Sequence, residues 1–174
     1  MSRTATPTDE PAPEPTASAD PRWRFFTEDR TRYASPWFDG RHRVMIGFGC
    51  TSAPWYTSDP RCPGSQGFHH GIDVAIPCGE TLRSAVSGRV VTGGLGSAYG
   101  AKAFRIRTAE RDLLVAHAQT LLVGDGDRVV PGQPIAEVGA LGAPDGCHLH
   151  LERRSVGGGV SSATDPADVL ALRS

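Results

Sequence analysis

The chain has 174 residues and a formal net charge of −1, with 39% hydrophobic and 21% charged residues. This length allows one domain with a hydrophobic core, plus a tail. The near-neutral charge gives no reason to expect nucleic acid or an anionic membrane as a partner, and no run of about eighteen apolar residues is present that would span a bilayer.

Residues 1–22 are rich in proline, alanine, threonine and acidic residues. A segment of this composition buries too little apolar surface to offset the entropy of ordering, so we expect a disordered tail. The opening Met1–Thr6 is followed by no apolar stretch of a secretory signal. The sequence therefore leaves three alternatives: a protein that stays in the cytoplasm as encoded, one released by a non-classical route, or a trimmed form of a longer chain.

Residues 23–42 form an aromatic connecting segment. Its aromatic residues are Trp23, Phe25, Phe26, Tyr33, Trp37 and Phe38. This segment either wraps against the domain or forms a flap over a groove. Packing is favoured because isolated aromatic side chains usually find a core. The domain proper is predicted over residues 43–174.

The rest of the chain has the pattern of a β protein. Short, partly alternating segments such as Phe104–Arg107 and Leu113–His117 are separated by glycine-rich breaks. A period of 3.6 residues is visible only in a short helix predicted over Pro166–Leu170, with Asp165 as its cap. The predicted fold is an all-β antiparallel sandwich with an open substrate groove and a short helix near the C-terminus.

Four of the six histidines lie in three short motifs: His69-x-Gly71-x-Asp73, the isolated His117, and His148-Leu149-His150. Residues i and i+2 of a strand share a face, so His148 and His150 are expected to project into one groove. His69 and Asp73 can turn toward the same point across the intervening glycine. Two imidazoles and a carboxylate leave a fourth zinc position for water, as a catalytic site requires. Taken singly, each histidine is more often an ordinary polar surface residue.

The order of these motifs resembles that of the lysostaphin-type (LytM-like) zinc endopeptidases, from about Val44 to Leu170. The matching segments are Gly47-Phe48-Gly49, Phe68–Ala75, Ala85–Val91, Tyr99-Gly100, His117, Gly126–Ala136, Val138-Gly139, His148–Glu152 and Asp165-Pro166. A short histidine motif on its own is weak evidence for a family, whereas many matching segments in the same order are specific evidence.

The resemblance implies a duplicated hybrid motif fold and places Zn²⁺ on His69, Asp73 and His150. It places the two catalytic histidines at His117 and His148. The implied function is a zinc metalloendopeptidase that hydrolyses peptide bonds, expected beside glycine, in peptidoglycan peptides. The expected substrate partner is a peptide or peptidoglycan, and the expected state is a monomer.

The chain departs from the family pattern beside the site, at Val115, Ala118 and Cys147. These departures concern the substrate contacts and leave the metal set unchanged. Two alternatives stay open. One is a zinc hydrolase acting on a cytoplasmic peptide or a specialised metabolite. The other is a non-catalytic amidase activator or binding protein on the same fold, which the complete ligand set opposes.

Other residues near these motifs receive weaker predictions. Glu152 is expected to have a structural role or to hydrogen-bond a ligand imidazole, rather than to act as a general base. His70 is expected to face away from the site. Arg105 and Arg107 are expected to lie on a solvated sheet face.

The four cysteines leave the redox state open. Cys50 and Cys62 bracket a loop rich in proline and serine where some relatives carry a similar pair, and a disulfide and two free thiols are equal alternatives there. Cys78 and Cys147 lie close in sequence to predicted zinc ligands. For these two the favoured prediction is a pair of small buried hydrophobic side chains.

Overall fold

The computed structural model describes residues 18–174. Most of the predicted disordered tail, residues 1–17, lies outside the described residues. The strands are β1 (Tyr33–Ser35), β2 (Phe38–His42), β3 (Val44–Ile46), β4 (Gly49–Thr51), β5 (Gly67–His69), β6 (Ile72–Ala75), β7 (Thr81–Arg83), β8 (Gly88–Thr92), β9 (Phe104–Arg107), β10 (Arg111–Ala116), β11 (Thr120–Leu121), β12 (Arg128–Val129), β13 (Pro134–Glu137) and β14 (His148–Ser155). Short 3₁₀ turns occupy Ser97–Tyr99 and Val160–Ser162, and helix α1 covers Ala167–Leu170.

These strands form two large sheets and a two-stranded ribbon. One sheet has the order β12-β8-β9-β10-β14-β6-β3, the other has the order β1-β2-β7-β13-β11, and β4 pairs with β5. Every pairing is antiparallel. The main core lies between the two large sheets, since it joins Phe38, Leu82 and Ile135 of one sheet to Ile106 and Leu149 of the other. The predicted all-β antiparallel fold is confirmed.

Strand β14 lies near the centre of the seven-stranded sheet, between β10 and β6. Its alternation divides its side chains: Leu149 and Leu151 are fully buried in the main core, while His148 and His150 face the other side. In register, His150 pairs with Asp73 on β6 and with Ala116 on β10. The sheet therefore brings three separate motifs to one place.

The short C-terminal helix is present where the pattern predicts it. The helix begins one residue later than predicted, and its N-cap is Pro166 rather than Asp165; Asp165 lies one residue before the cap and accepts the amide of Ala167 at 3.0 Å. Leu170 is buried in the main core. Among the described residues, no helix is long and apolar enough to cross a membrane.

The aromatic segment lies against the domain and adds to its sheets. Trp23, Phe25 and Phe26 pack on a small core around Met45 and Ile46. Farther along, Trp37 is fully buried in the main core and its indole N–H donates to the carbonyl of Val169 at 2.8 Å. Because β1 and β2 belong to the five-stranded sheet, that sheet continues across the predicted boundary at residue 43.

Two disulfides connect the four cysteines, Cys50 with Cys62 and Cys78 with Cys147. For Cys50 and Cys62 the sequence left a disulfide and two free thiols as alternatives, and the structure has the disulfide. The second corrects the prediction that Cys78 and Cys147 are separate buried hydrophobic side chains. Cys147 is indeed buried, but 69 positions separate it from its partner, and only the packing of the sheets brings the two together.

We expect the longer disulfide to stabilise the fold more than the shorter one. Closing a loop of 69 residues restricts the unfolded chain by about 4 kcal/mol in the chain-entropy model, against about 3 kcal/mol for a loop of 12 residues. The double variant C78A/C147A should therefore lower the free energy of unfolding in urea more than C50A/C62A does. An equal or reversed order would show that strain, rather than loop length, dominates the two disulfides.

Candidate metal centre

An open groove of about 550 Å³ lies over the exposed face of β14. All four histidines of the three motifs line it, together with Asp73. Trp55, Tyr56 and Tyr99 supply aromatic walls, and the loop at residues 142–145 forms another side. The five residues predicted for the site are thus brought together in one cavity.

Three of the four imidazoles are oriented by backbone carbonyls. The Nδ1–H groups of His69, His117 and His148 donate to the carbonyl oxygens of Gly47, Leu141 and Gly146 at 2.9, 2.8 and 2.9 Å. A carbonyl only accepts, so the proton must lie on Nδ1 in each ring. Each ring therefore presents its Nε2 lone pair on the other side when neutral.

His150 is oriented the opposite way. Its Nε2 donates to the Glu152 carboxylate at 2.9 Å, so Nδ1 is the atom that faces Asp73 and His69. The second carboxylate oxygen of Glu152 accepts from Arg154 Nε at 2.6 Å, and Arg154 also donates to the Tyr99 hydroxyl at 2.8 Å. Glu152 thus makes the predicted hydrogen bond to this imidazole. The bond is part of a series of hydrogen bonds that runs from His150 through Glu152 and Arg154 to Tyr99 in the wall of the groove.

The donor atoms of His69, Asp73 and His150 form a small triangle. His69 Nε2 lies 3.2 Å from His150 Nδ1 and 3.3 Å from Asp73 Oδ1, and the latter two atoms are 2.7 Å apart. Zinc with bonds of about 2.0–2.1 Å to such donors has tetrahedral edges of about 3.3 Å. Two imidazole nitrogens and one carboxylate oxygen at this spacing fit a zinc ion with one position left for a further ligand.

A second group of donors, His117, His148 and His150, overlaps the first. The first group is the better metal site because it includes the Asp73 carboxylate, which is almost fully buried and is stabilised by a nearby cation. A third group contains Asp20, Cys78 and Cys147. Its two sulfurs are joined in the disulfide, so neither is available as a thiolate.

The electrostatics of the centre favour positive charge around Asp73. Burial opposes ionisation of Asp73, yet His69, His148 and His150 hold the pKa of its carboxyl well below the usual range. Burial likewise opposes charge on His150, but Asp73 and Glu152 raise its pKa to about 10. Without metal, the His150 proton therefore occupies the position next to Asp73 that a metal cation would take.

His117 has the opposite character. Burial, and then the neighbouring His148 and His150, lower its pKa to about 3, so this ring is neutral at pH 7. It follows directly after β10 with a φ of +63°, a conformation that is strained for a residue with a side chain. The neighbouring Gly139 accommodates it, since a Cβ there would lie 2.7 Å from the His117 carbonyl oxygen.

The prediction for His70 is wrong. His70 was expected to face away, but it lines the groove and contacts Arg61 at 3.3 Å. Strand β5 ends at His69, so the alternation of a strand does not extend to the next residue. Arg107, expected on a solvated face, keeps 36% of its side chain exposed and also pairs with the fully buried Asp112 at 2.8 Å.

Trp55, Tyr56 and Asp145 are among the groove residues that were not found from the sequence. Trp55 and Tyr56 lie in an irregular loop, where no periodicity indicates which way a side chain points. Gly67 makes room for Tyr56, since a Cβ at Gly67 would lie 2.3 Å from Tyr56 Cβ, but this contact is visible only in the folded chain. Asp145 is also buried beside His148, with 3.7 Å between Oδ1 and Nδ1.

Comparisons with known proteins bear on the family and the fold of this chain. The model of a family described as peptidase family M23 matches residues 67–166, a range that contains all five predicted site residues. The chain is 37% identical over 87 residues to the DD-carboxypeptidase/endopeptidase Mpg of Neisseria meningitidis serogroup B. That alignment covers 49% of the chain and 20% of Mpg, so the chain spans a small part of this relative.

Solved structures show the same fold. The structure of LytU superimposes with a TM-score of 0.61 at 30% identity, over 75% of this chain and 85% of that one. The catalytic domain of the antimicrobial peptidase lysostaphin from Staphylococcus simulans gives a TM-score of 0.61 at 24% identity, over 75% of this chain and 92% of that one. At this lower identity the second likeness bears on the fold alone.

We expect a side chain at Gly71 to disturb the metal centre. A Cβ there would lie 2.6 Å from the Leu151 carbonyl oxygen and 2.9 Å from His150 Cε1. Gly71→Ala should push β14 away from His69 and Asp73 and weaken zinc binding by about tenfold or more, measured by competition with a chromogenic chelator. The matched control is Gly159→Ala, outside the groove, where a Cβ meets nothing within 4 Å and the backbone is extended. Equal affinities in the two variants would contradict the close packing inferred at Gly71.

Zinc binding should release a proton from His150. Because the pKa of His150 is raised to about 10 in the metal-free protein, this ring is protonated at pH 7.5, and a metal on Nδ1 must displace that proton. Calorimetric titration in two buffers of different ionisation enthalpy should give about one proton per zinc. Affinity should rise with pH up to about 10, where His150 loses the proton unaided. Binding without proton release would rule out His150 as a ligand.

Proposed function

The chain belongs to peptidase family M23, and from this premise we propose that it is a zinc-dependent endopeptidase that cleaves peptide bonds beside glycine in peptidoglycan peptides. The observation that carries the proposal is the triangle of His69 Nε2, Asp73 Oδ1 and His150 Nδ1, with sides of 2.7–3.3 Å. A non-catalytic binding protein would not need three metal-ligand atoms at this spacing together with the two oriented imidazoles of His117 and His148. The complete donor set therefore argues against a non-catalytic activator.

In this proposal His69, Asp73 and His150 hold the zinc ion. When bound, zinc would lower the pKa of a water ligand toward about 7 and polarise the scissile carbonyl. Glu152 keeps the Nδ1 atom of His150 available for the metal by accepting the proton of Nε2. The backbone carbonyl of Gly47 does the same for Nε2 of His69.

His117 and His148 are proposed to act on the substrate. His117 is neutral at pH 7 and presents a lone pair on Nε2, so it suits the role of proton acceptor from the attacking water. His148 lies between two carboxylates: its Nε2 is 3.6 Å from Asp73 Oδ1 and its Nδ1 is 3.7 Å from Asp145 Oδ1. Because His148 lines the groove and its ring lies 4.8 Å from that of His117, we assign it to contact the developing oxyanion.

The lining of the groove supports a peptide with small side chains. Ala98, Gly142 and Ala143 are small enough for a peptide backbone to approach them closely, and the walls are aromatic. The residues lining the groove, all within the described part of the chain, include no lysine or arginine. A free α-carboxylate would have no cationic side chain to bind there, so we favour cleavage within a chain over removal of a terminal residue.

The two disulfides bear on where the protein works. Disulfides persist in oxidising surroundings and are rare in the reducing cytosol. All four cysteines of the chain are paired, so we propose that the protein acts outside the cytoplasm, where peptidoglycan is accessible. This favours a cell-wall peptide over the alternative of a cytoplasmic peptide or metabolite.

Digestion of purified peptidoglycan and of oligoglycine peptides tests the proposal. Mass spectrometry should find new amino and carboxyl termini beside glycine, and a chelator should abolish them until zinc is restored. Cleavage at other residues would revise the specificity alone. No cleavage by the zinc-loaded protein on either substrate would refute the endopeptidase assignment.

Two neighbouring histidines should separate metal binding from turnover. His150→Ala should lose zinc and activity together, because two protein ligands rarely hold zinc tightly. His148→Ala should keep one zinc per chain while turnover falls by about two orders of magnitude or more. Metal content by atomic emission, measured beside the rate, distinguishes the two. One zinc per chain in His150→Ala would overturn the ligand assignment.

A further inference from the structure

The turn before His148 is held by a residue from far outside the segment that matches the peptidase family. Gly146 and Cys147 share one peptide group. Its carbonyl oxygen accepts the Nδ1–H of His148 at 2.9 Å. Its amide N–H donates to the side-chain carboxylate of Asp20, also at 2.9 Å. The two ends of a single amide thus connect Asp20 to the imidazole.

We propose that Asp20 is a positioning residue for His148, acting through this peptide group. The inference rests on the proposed function, in which His148 contacts the substrate. A peptide group is planar, so the carbonyl of Gly146 cannot turn away from His148 without also breaking the hydrogen bond to Asp20. A carboxylate on the N–H also polarises the amide and makes its carbonyl a stronger acceptor. Asp20 therefore fixes both the orientation of the His148 ring and the nitrogen that carries its proton.

Asp20 is itself firmly held. It is buried, and the guanidinium of Arg22 donates to its two oxygens at 3.0 and 2.7 Å. This contact holds the pKa of the Asp20 carboxyl well below its usual range, so the group is charged at neutral pH. The backbone N–H of Arg22 adds a further bond at 2.9 Å.

The turn is also shaped to receive this carboxylate. Gly146 has a φ of +88°, and a Cβ there would lie 2.7 Å from Asp20 Oδ2, so a side chain would displace Asp20. Cys147 is held at three points: its N–H by Asp20, its carbonyl by the indole of Trp23, and its side chain by Cys78. These groups come from outside the loop, and all of them converge on the residue before His148.

The contacts that hold Cys147 have a functional reason. The neighbouring bond between His148 N–H and Gly139 O is long, at 3.3 Å, so the backbone alone holds this end of β14 weakly. A displacement of about 1 Å in a group that touches the substrate lowers a rate by about a hundredfold. Asp20 supplies the missing restraint without entering the groove, since it is not among the groove's lining residues.

The kinetic test uses Asp20→Ala and Asp20→Asn in the full chain. Asp20→Ala should lower kcat by about tenfold or more, with KM within about twofold and one zinc retained. Asp20→Asn should recover part of the rate, because its amide oxygen still accepts from Cys147. The matched control is Asp29→Ala, which removes a carboxylate from the same segment that bonds Thr31 and Tyr33 rather than this turn. That control should leave kcat unchanged.

A double-mutant cycle shows whether Asp20 acts through His148. In the His148→Ala background, Asp20→Ala should cause no further loss of kcat. Equal losses in both backgrounds, or a full wild-type rate in Asp20→Ala, would overturn the inference while leaving the proposed function intact.

A second measurement does not depend on activity. Proton-detected NMR of protein labelled with ¹⁵N-histidine reports which ring nitrogen of His148 carries the proton. Wild type, Asp20→Asn and Asp29→Ala should show the Nδ1–H form, whereas Asp20→Ala should show a mixture. An unchanged Nδ1–H form in a folded Asp20→Ala variant would contradict the proposal. If the wild type cleaves nothing, the proposed function fails, and this spectrum still decides the role of Asp20.

Discussion

The burial of one carboxylate, that of Asp73, constrains the rest of the site. Asp73 lies on β6 inside the seven-stranded sheet and is almost fully buried. A carboxylate in such a place needs positive charge and hydrogen bonds around it. His150 supplies a hydrogen bond and positive charge at 2.7 Å, and the rings of His69 and His148 lie 3.3 and 3.6 Å from the same oxygen. The histidines are thus arranged around a charge that the fold has already buried, and a metal cation fits the same requirement.

The strand register produces this arrangement. Because β14 pairs with β6 on one side and β10 on the other, His150 stands opposite both Asp73 and Ala116, and His117 follows at the end of β10. Antiparallel pairing at the centre of a sheet leaves little freedom in these positions. The loops around the groove have more freedom, and two of them are restrained separately, one by Cys50–Cys62 and the other by Cys78–Cys147 together with Asp20. Strand register therefore fixes the positions of Asp73, His117 and His150, whereas disulfides and the Asp20 hydrogen bond hold the loops beside the groove.

The parts that sequence predicts well are those governed by short-range patterns. His148 and His150 share a strand face because alternation requires it, and the short spacing of His69 and Asp73 predicts a common direction. The segment Phe104–Arg107 forms a strand with the predicted bounds. Sequence fails where distant segments meet. Nothing local in Cys78 indicates Cys147, 69 residues later. Nothing in residues 18–22 indicates that Asp20 reaches the turn before His148. His70 was misplaced because the alternation rule was applied one residue past the end of β5.

The pair Glu152–Arg154 is better explained by orientation than by stability. Both side chains are almost fully buried, and taking two charges out of water costs free energy that their attraction often fails to return. Apolar residues of similar size would pack there without that cost.

The Glu152–Arg154 pair nevertheless orients His150, which apolar residues could not do. Arg154 donates to Glu152 at 2.6 Å, and Glu152 in turn accepts the Nε2 proton of His150 at 2.9 Å. His150 is the one histidine of the four that turns Nδ1 toward Asp73, and it is the one with a carboxylate as its orienting acceptor. The other three rings are held by neutral carbonyls. The stronger acceptor therefore lies behind the one ring that must turn Nδ1, rather than Nε2, toward the metal position.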